Sequence, residues 1–345
     1  MRLKIKLTIF GIFLLLCLGC NEPPPDNEII PTWKTYEFAE TPFRMRIFRP
    51  YLYAFNYGLW RMNIETDDAE WEKISLPDPS SHPMGIYDVL VNDKDNSILI
   101  AYPEETMMGH GLYKSTDDGV TWFPSDSGML FEDLQVINDK PRGLLATPDG
   151  ILAGGMFIWK SVDNGETWSS VVSTGVYFLD LTSHPSSLDI IWGWGMSALL
   201  ESFVFKSEDG GETWSTVRFE PPYDLPSPFL MQDLAFDNEN DSLVYISMNA
   251  PRILITENGG KTWSHPVVID STVDADVYML WANPGKSGHV IAGLGSDIYE
   301  SLDYGKNWEM IENPIENTIY SKVYDPVSHT LYLGTESTIY AYNIK

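Results

Sequence analysis

The chain of 345 residues carries 22 Lys and Arg against 49 Asp and Glu, a formal net charge of −27. A surface of that sign repels phosphate backbones and excludes nucleic acid as a partner. The hydrophobic content of 43% is ordinary for a folded protein, but 12 Trp within an aromatic content of 13% mean that the fold uses large flat side chains repeatedly.

The first 19 residues read as an export signal. Arg2, Lys4 and Lys6 supply a positive start, and Leu7 to Leu18 form an apolar run too short to span a bilayer. The run ends in Cys17-Leu18-Gly19-Cys20, which resembles the bacterial lipoprotein signal. That resemblance implies a lipid on Cys20 and attachment to the membrane through that lipid alone. It departs from the usual pattern at Cys17, where Leu is common. The expected location is the bacterial cell envelope, at the outer membrane, facing the periplasm or the cell surface. Loss of Arg2, Lys4 and Lys6 with the signal takes the formal charge from −27 to −30. It also removes Cys17, so with Cys20 lipidated no thiol is left for a disulfide or a metal site. Residues 20–31, rich in proline and acid, form an extended tether. The folded domain is expected over 32–345.

Five segments align without gaps and begin at Ser115, Ser161, Ser207, Thr256 and Ser301, spaced by 46, 46, 49 and 45 residues. Each reads S-x-D-x-G-x-T-W or close to it. The third position holds Asp117, Asp163, Asp209, Asn258 or Asp303, and the last holds Trp122, Trp168, Trp214, Trp263 or Trp308. Asp or Asn folds back on nearby backbone N–H groups and closes a turn. Glycine at the fifth position permits a positive φ. The indole buries against neighbouring strands. Every position therefore has a structural task, and the motif is not itself a catalytic site.

Short apolar runs flank each motif, such as Gly150–Gly154 and Phe157–Ser161, and read as antiparallel strands. Four strands per repeat of this length make a propeller blade. Phe43 to Ile74 supplies a further blade whose turn, Glu65-Thr66-Asp67-Asp68-Ala69, has lost its glycine. The chain ends without a fourth strand for the last blade. Thr32 to Phe38 resembles a Trp-led fourth strand and is expected to complete it. The predicted fold is an all-β, seven-bladed propeller of four-stranded antiparallel blades, closed by the N- and C-terminal strands and monomeric, with no exposed sheet edge.

These motifs resemble the Asp-box, or BNR, repeats of sialidases, sortilin-type receptors, xyloglucan-degrading glycosidases and the photosystem II assembly propeller. The resemblance covers nearly all of the domain and implies a fold rather than an activity. Sialidases need three arginines around a carboxylate and a Phe-Arg-Ile-Pro segment. The nearest match here is Phe43-Arg44-Met45-Arg46-Ile47-Phe48, which lacks the proline. Xyloglucan-type glycosidases set two carboxylates across a cleft between two propellers, and this chain has one.

Two groups of residues suggest a site. Asp88, Asp180 and Asp233 hold matching places on three innermost strands, so they are candidates for catalytic acid and base or for Ca²⁺ ligands at the channel mouth. The alternative is that each anchors its strand through backbone bonds. Trp192, Trp194 and Trp281 fall outside the motif. Gly193 and Gly195 leave the first two rings open, which suits sugar rings or a partner's side chains. The six histidines show no ligand spacing, so no metal or cofactor is expected beyond Ca²⁺ at the carboxylates. The expected function is binding or assembly, with a protein or polysaccharide partner. The alternative is a glycoside hydrolase or lyase.

Overall fold

The computed structural model describes residues 33–38, 41–42, 44–77, 85–103, 110–129, 140–173, 176–197, 201–217 and 230–344. The export signal, Cys20 and the tether lie outside the described residues. The described chain forms seven sheets of four antiparallel strands, the blades of a β-propeller, without helices.

Blade 2 shows why these sequences make blades. Its strands are Asp88–Val91, Ile98–Ala101, Leu112–Ser115 and the short outer Phe123–Pro124. The two middle strands are buried along their whole length, while both residues of the outer strand are exposed. A middle strand is covered on both faces by neighbouring blades. It therefore needs a continuous apolar run such as Ile-Leu-Ile-Ala instead of an alternating one. Val244–Met248, Val290–Leu294 and Thr330–Gly334 are buried in the same way in blades 5, 6 and 7.

The hydrophobic core is divided among the junctions between blades. Val89, Ile98 and Ile100 of blade 2 pack with Phe55, Leu59 and Ile74 of blade 1, and each of the other six junctions holds a cluster of the same kind. The motif Trp of each blade lies in the junction with the blade before it: Trp122 with Ile74, Trp168 with Leu99, Trp214 with Leu152, Trp263 with Val217 and Trp308 with Tyr245.

The motif turns have one geometry. In the turn of blade 2, the Gly119 N–H donates to Ser115 Oγ at 2.8 Å, the Thr121 N–H donates to Asp117 Oδ1 at 2.8 Å and the Thr121 hydroxyl donates to Asp117 Oδ2 at 2.6 Å. The two backbone N–H bonds recur in the other four turns, and the hydroxyl donation recurs at Asp163 and Asp209, whereas the Asn258 amide donates to the Thr262 hydroxyl and the Asn307 amide donates to Asp303. Donation from the Thr167 hydroxyl and N–H holds the Asp163 carboxyl down at about 2. The fifth-position glycine has a second reason beyond its positive φ. A Cβ on Gly119 would lie 2.3 Å from Ile74 Cγ2, and one on Gly211 would lie 2.5 Å from Leu152 Cδ1. Each turn is thus pressed against the core of the preceding blade. Cations strengthen this contact in the first half of the ring. Arg61 of blade 1 pairs with Asp118, Lys114 of blade 2 with Glu166, and Lys160 of blade 3 with Glu212. Each partner belongs to the turn of the next blade.

The ring closes in blade 7. Trp33–Glu37 pairs with Thr338–Asn343, with Trp33 opposite Tyr342 and Glu37 opposite Thr338. The Trp33 and Tyr342 rings stack at 4.6 Å. N- and C-terminal segments therefore share one sheet, and its order places the N-terminal strand outermost.

Candidate functional site in the central channel

The innermost strands are Arg44–Phe48, Asp88–Val91, Gly143–Thr147, Tyr177–His184, Met231–Phe236, Val277–Ala282 and Ser321–Asp325, in blade order. They approach one another around the channel.

Asp88 is completely buried. Its Oδ1 accepts from the Val89 N–H at 2.9 Å, and its Oδ2 accepts from the Leu144 N–H of blade 3 at 2.8 Å. Arg46 completes the set with a two-pronged pair, Nε to Oδ1 at 2.9 Å and Nη2 to Oδ2 at 2.8 Å. Asp233 repeats the arrangement. It accepts from the Leu234 N–H and from the Leu280 N–H of blade 6, both at 2.8 Å, and pairs with Lys322 of blade 7. Asp180 accepts from the Leu181 N–H at 2.8 Å and faces Arg46 Nη2 at 3.4 Å and Arg44 Nη1 at 3.5 Å.

The anchoring role weighed for these aspartates is what the bonds display. Each carboxylate ties down the start of its own strand, and Asp88 and Asp233 also hold the next blade. The cations bridge blades that are not neighbours: Arg46 of blade 1 meets Asp180 of blade 4 across the channel, and Lys322 of blade 7 reaches past blade 6 to Asp233 of blade 5. Burial pulls the Arg46 guanidinium down, but the charges of Asp88 and Asp180 outweigh it and raise its pKa. Burial pushes the Asp233 carboxyl up against the lowering pull of Lys322 and the two N–H donors. Arg44, Arg46 and Lys322 face the three carboxylates, so their charges balance. Among the described residues no group of three or more His, Cys, Asp or Glu is placed to hold a metal.

The tryptophans singled out as a ligand platform lie in the core instead. Trp192 has no exposed surface, and Trp194 and Trp281 each keep 6%. Trp192 and Trp194 share the junction between blades 4 and 5, where Phe236 lies 6.1 Å from the Trp192 ring. A Cβ on Gly260, in the turn of blade 5, would come within 2.9 Å of that indole. The next blade therefore covers the face of the strand that carries both indoles. Trp281 packs on Tyr324 at 5.1 Å in the junction between blades 6 and 7.

His184 ends the inner strand of blade 4 and is fully buried. Its Nδ1 accepts from the Ser186 N–H at 3.2 Å and meets Ser186 Oγ at 2.9 Å, while that hydroxyl donates to Asp241 at 2.5 Å. Burial lowers the imidazole from its ordinary 6.5, with Lys206 adding to the fall and Asp241 and Asp237 opposing it. The folded state therefore refuses a proton that the unfolded chain accepts. This stability is fully present above about pH 6.5 and is lost as pH falls through the depressed folded value. Denaturation across pH 7.5 to about 5 should show this loss, and His184→Asn should remove it. Parallel profiles for the two proteins would refute the assignment.

One feature of the channel escaped the sequence reading. At the start of the inner strands, two residues stand opposite a single residue of the second strand. Bulges place Gln232 beside Asp233 opposite Ser247, and Tyr278 beside Met279 opposite Gly293. In blades 2, 3 and 7 the N–H groups of Tyr87, Arg142 and Tyr320 donate to the carbonyls of Ala101, Gly154 and Gly334, the residues that pair with Asp88, Gly143 and Ser321. The Arg142 guanidinium lies 4.7 Å above the Tyr87 ring, and the Tyr278 and Tyr320 rings meet at 6.0 Å. The signal in the sequence was positional: Tyr87 and Tyr278 each precede the aligned strand position by one residue.

No family model matches the chain, and no curated protein matches it either. Among solved structures it is similar to YCF48 from Cyanidioschyzon merolae, at 12% identity and a TM-score of 0.63, over 90% of this chain and 98% of that one. A structure described as YCF48 bound to D1 peptide is similar at 17% identity and a TM-score of 0.63, over 93% of this chain and 99% of that one. The GH74 enzyme of Niastella koreensis is similar at 16% identity and a TM-score of 0.61, over 88% of this chain but only 52% of the enzyme. At these identities the likeness establishes a shared β-propeller fold and nothing finer.

Proposed function

We propose that this protein is a non-enzymatic binding or assembly module, held in the bacterial cell envelope by a lipid on Cys20, that takes a protein or polysaccharide partner at one face of the ring. The observation that supports it is the engagement of Asp88 and Asp233 through both carboxylate oxygens, by backbone N–H groups and by Arg46 or Lys322, and of Asp180 through its Oδ1. A glycosidase needs one carboxyl group free to deliver a proton and a second free to act as base or nucleophile. At Asp88 and Asp233 both oxygens already serve the strands and the cations, so Asp180 has no second free carboxylate beside it among the three. The motif turns are of the Asp-box type and serve the junctions between blades. The similar YCF48 structure with a bound D1 peptide illustrates peptide binding by a propeller of this shape.

The test is a glycan array combined with a hydrolysis assay on the full chain in detergent, alongside capture of envelope proteins. Retention of a partner without product is the expected result, and turnover of any glycan would overturn the reading. The anchor has its own check: Cys20→Ser should move the protein from the membrane fraction to the soluble one.

A further inference from the structure

We infer that the channel mouth at the start of the inner strands is a binding site for a neutral glycan, with Tyr278 and Tyr320 as its stacking surface. This rests on the binding-module reading and names its ligand class.

The placement is the first reason. Tyr278 is the extra residue of a bulge in the inner strand of blade 6. A bulge re-aims one side chain at the cost of a regular ladder, and bulges concentrate beside functional sites. Gln232 occupies the same position in blade 5. Tyr320 immediately precedes the inner strand of blade 7, and Tyr87, with Arg142 stacked over it, immediately precedes that of blade 2.

Exposure is the second reason. Most large aromatic side chains here are consumed in the junctions between blades, but Tyr278 is 37% exposed. Its ring meets Tyr320 at 6.0 Å with a tilt of 43°, and the Asp276 carboxylate lies beside its phenol. A half-exposed tyrosine pair offers an apolar face with a polar tip. The flat C–H face of a pyranose matches the rings, and its hydroxyl edge matches the phenols, the Gln232 amide and the Asp276 carboxylate.

Charge selects the ligand class. Two cations of the channel are committed to carboxylates, Arg46 to Asp88 and Asp180, and Lys322 to Asp233. The net charge of −27 also repels an acidic sugar. A neutral chain meets neither obstacle.

The experiment titrates the full chain in detergent with neutral gluco-, xylo- and manno-oligosaccharides and with uronic acid oligosaccharides. Wild type, Tyr278→Ala, Tyr320→Ala, Tyr278→Trp and the distant surface control Val162→Ala are compared, with thermal melts to confirm folding. Wild type should bind a neutral oligosaccharide. Each alanine variant should bind about tenfold more weakly, the size of a lost aromatic contact. Tyr278→Trp and Val162→Ala should keep wild-type affinity. Equal binding by the alanine variants, binding of uronic oligosaccharides alone, or no binding of any neutral glycan would overturn the inference. Capture of an envelope protein in that case would leave the binding-module reading standing, whereas glycan turnover would remove that reading as well.

Discussion

Asp88→Ala is expected to lower the unfolding free energy by about 3 kcal/mol, because it removes a fully buried carboxylate, leaves two backbone N–H groups without their acceptor and leaves Arg46 with Asp180 alone. Arg46 donates twice to this carboxylate, and the N–H groups of Val89 and Leu144 depend on it as well. Leu144 belongs to the next blade, so the loss should loosen the junction between blades 2 and 3. Asp88→Asn keeps an acceptor for the backbone but not the charge, and should fall between wild type and alanine. Urea denaturation followed by tryptophan fluorescence reads all three. A catalytic Asp88 would behave differently: its neutral variants would lose activity while melting like wild type.

Trp192→Ala should cost a similar amount, about 3–5 kcal/mol, as a large-to-small change in a closed core. The indole has no exposed surface, packs near Phe236 and supports the turn of blade 5 through Gly260. Trp192→Phe keeps much of the volume and should cost clearly less. If Trp192 were a ligand platform, alanine would instead abolish binding at little cost in stability. Thermal melts of the two variants separate these outcomes.

The parts of this fold that a sequence reveals are those made by local chemistry. The turn around Asp117 bonds residues two and four positions apart, so its repeat could be read from spacing alone. Closure by Trp33–Glu37 was legible because one blade lacked a strand and the N-terminus held a spare one. A positive φ at the fifth position of the turn was expected, but the fourth position is also left-handed, at Asp118, Asn164, Gly210, Gly259 and Tyr304. Four of those five residues are Gly, Asn or Asp, which favour that conformation, whereas Tyr304 gives no such signal.

The channel was less legible because its bonds are long-range. Arg46 and Asp180 are 134 residues apart, and Lys322 and Asp233 are 89 apart. The aspartates could be seen as equivalent, but not the cations that would answer them. The tryptophans were misread for another reason. Both faces of this strand are covered by neighbouring blades, so the rings that Gly193 and Gly195 alternate with are buried against blade 5 and not offered to a ligand. Tyr278 and Tyr320 went unnoticed because a bulge shifts a residue out of the alternation by which strands are read.

The central claim is that the channel carboxylates are structural anchors held by cations from other blades. A double-mutant cycle on Arg46 and Asp88, using Arg46→Met and Asp88→Asn with denaturant unfolding, measures this most directly. The predicted coupling is about 1–3 kcal/mol, the range for charged groups in direct contact. Additive effects within about 0.3 kcal/mol would contradict it and return Asp88 to the list of residues free for chemistry.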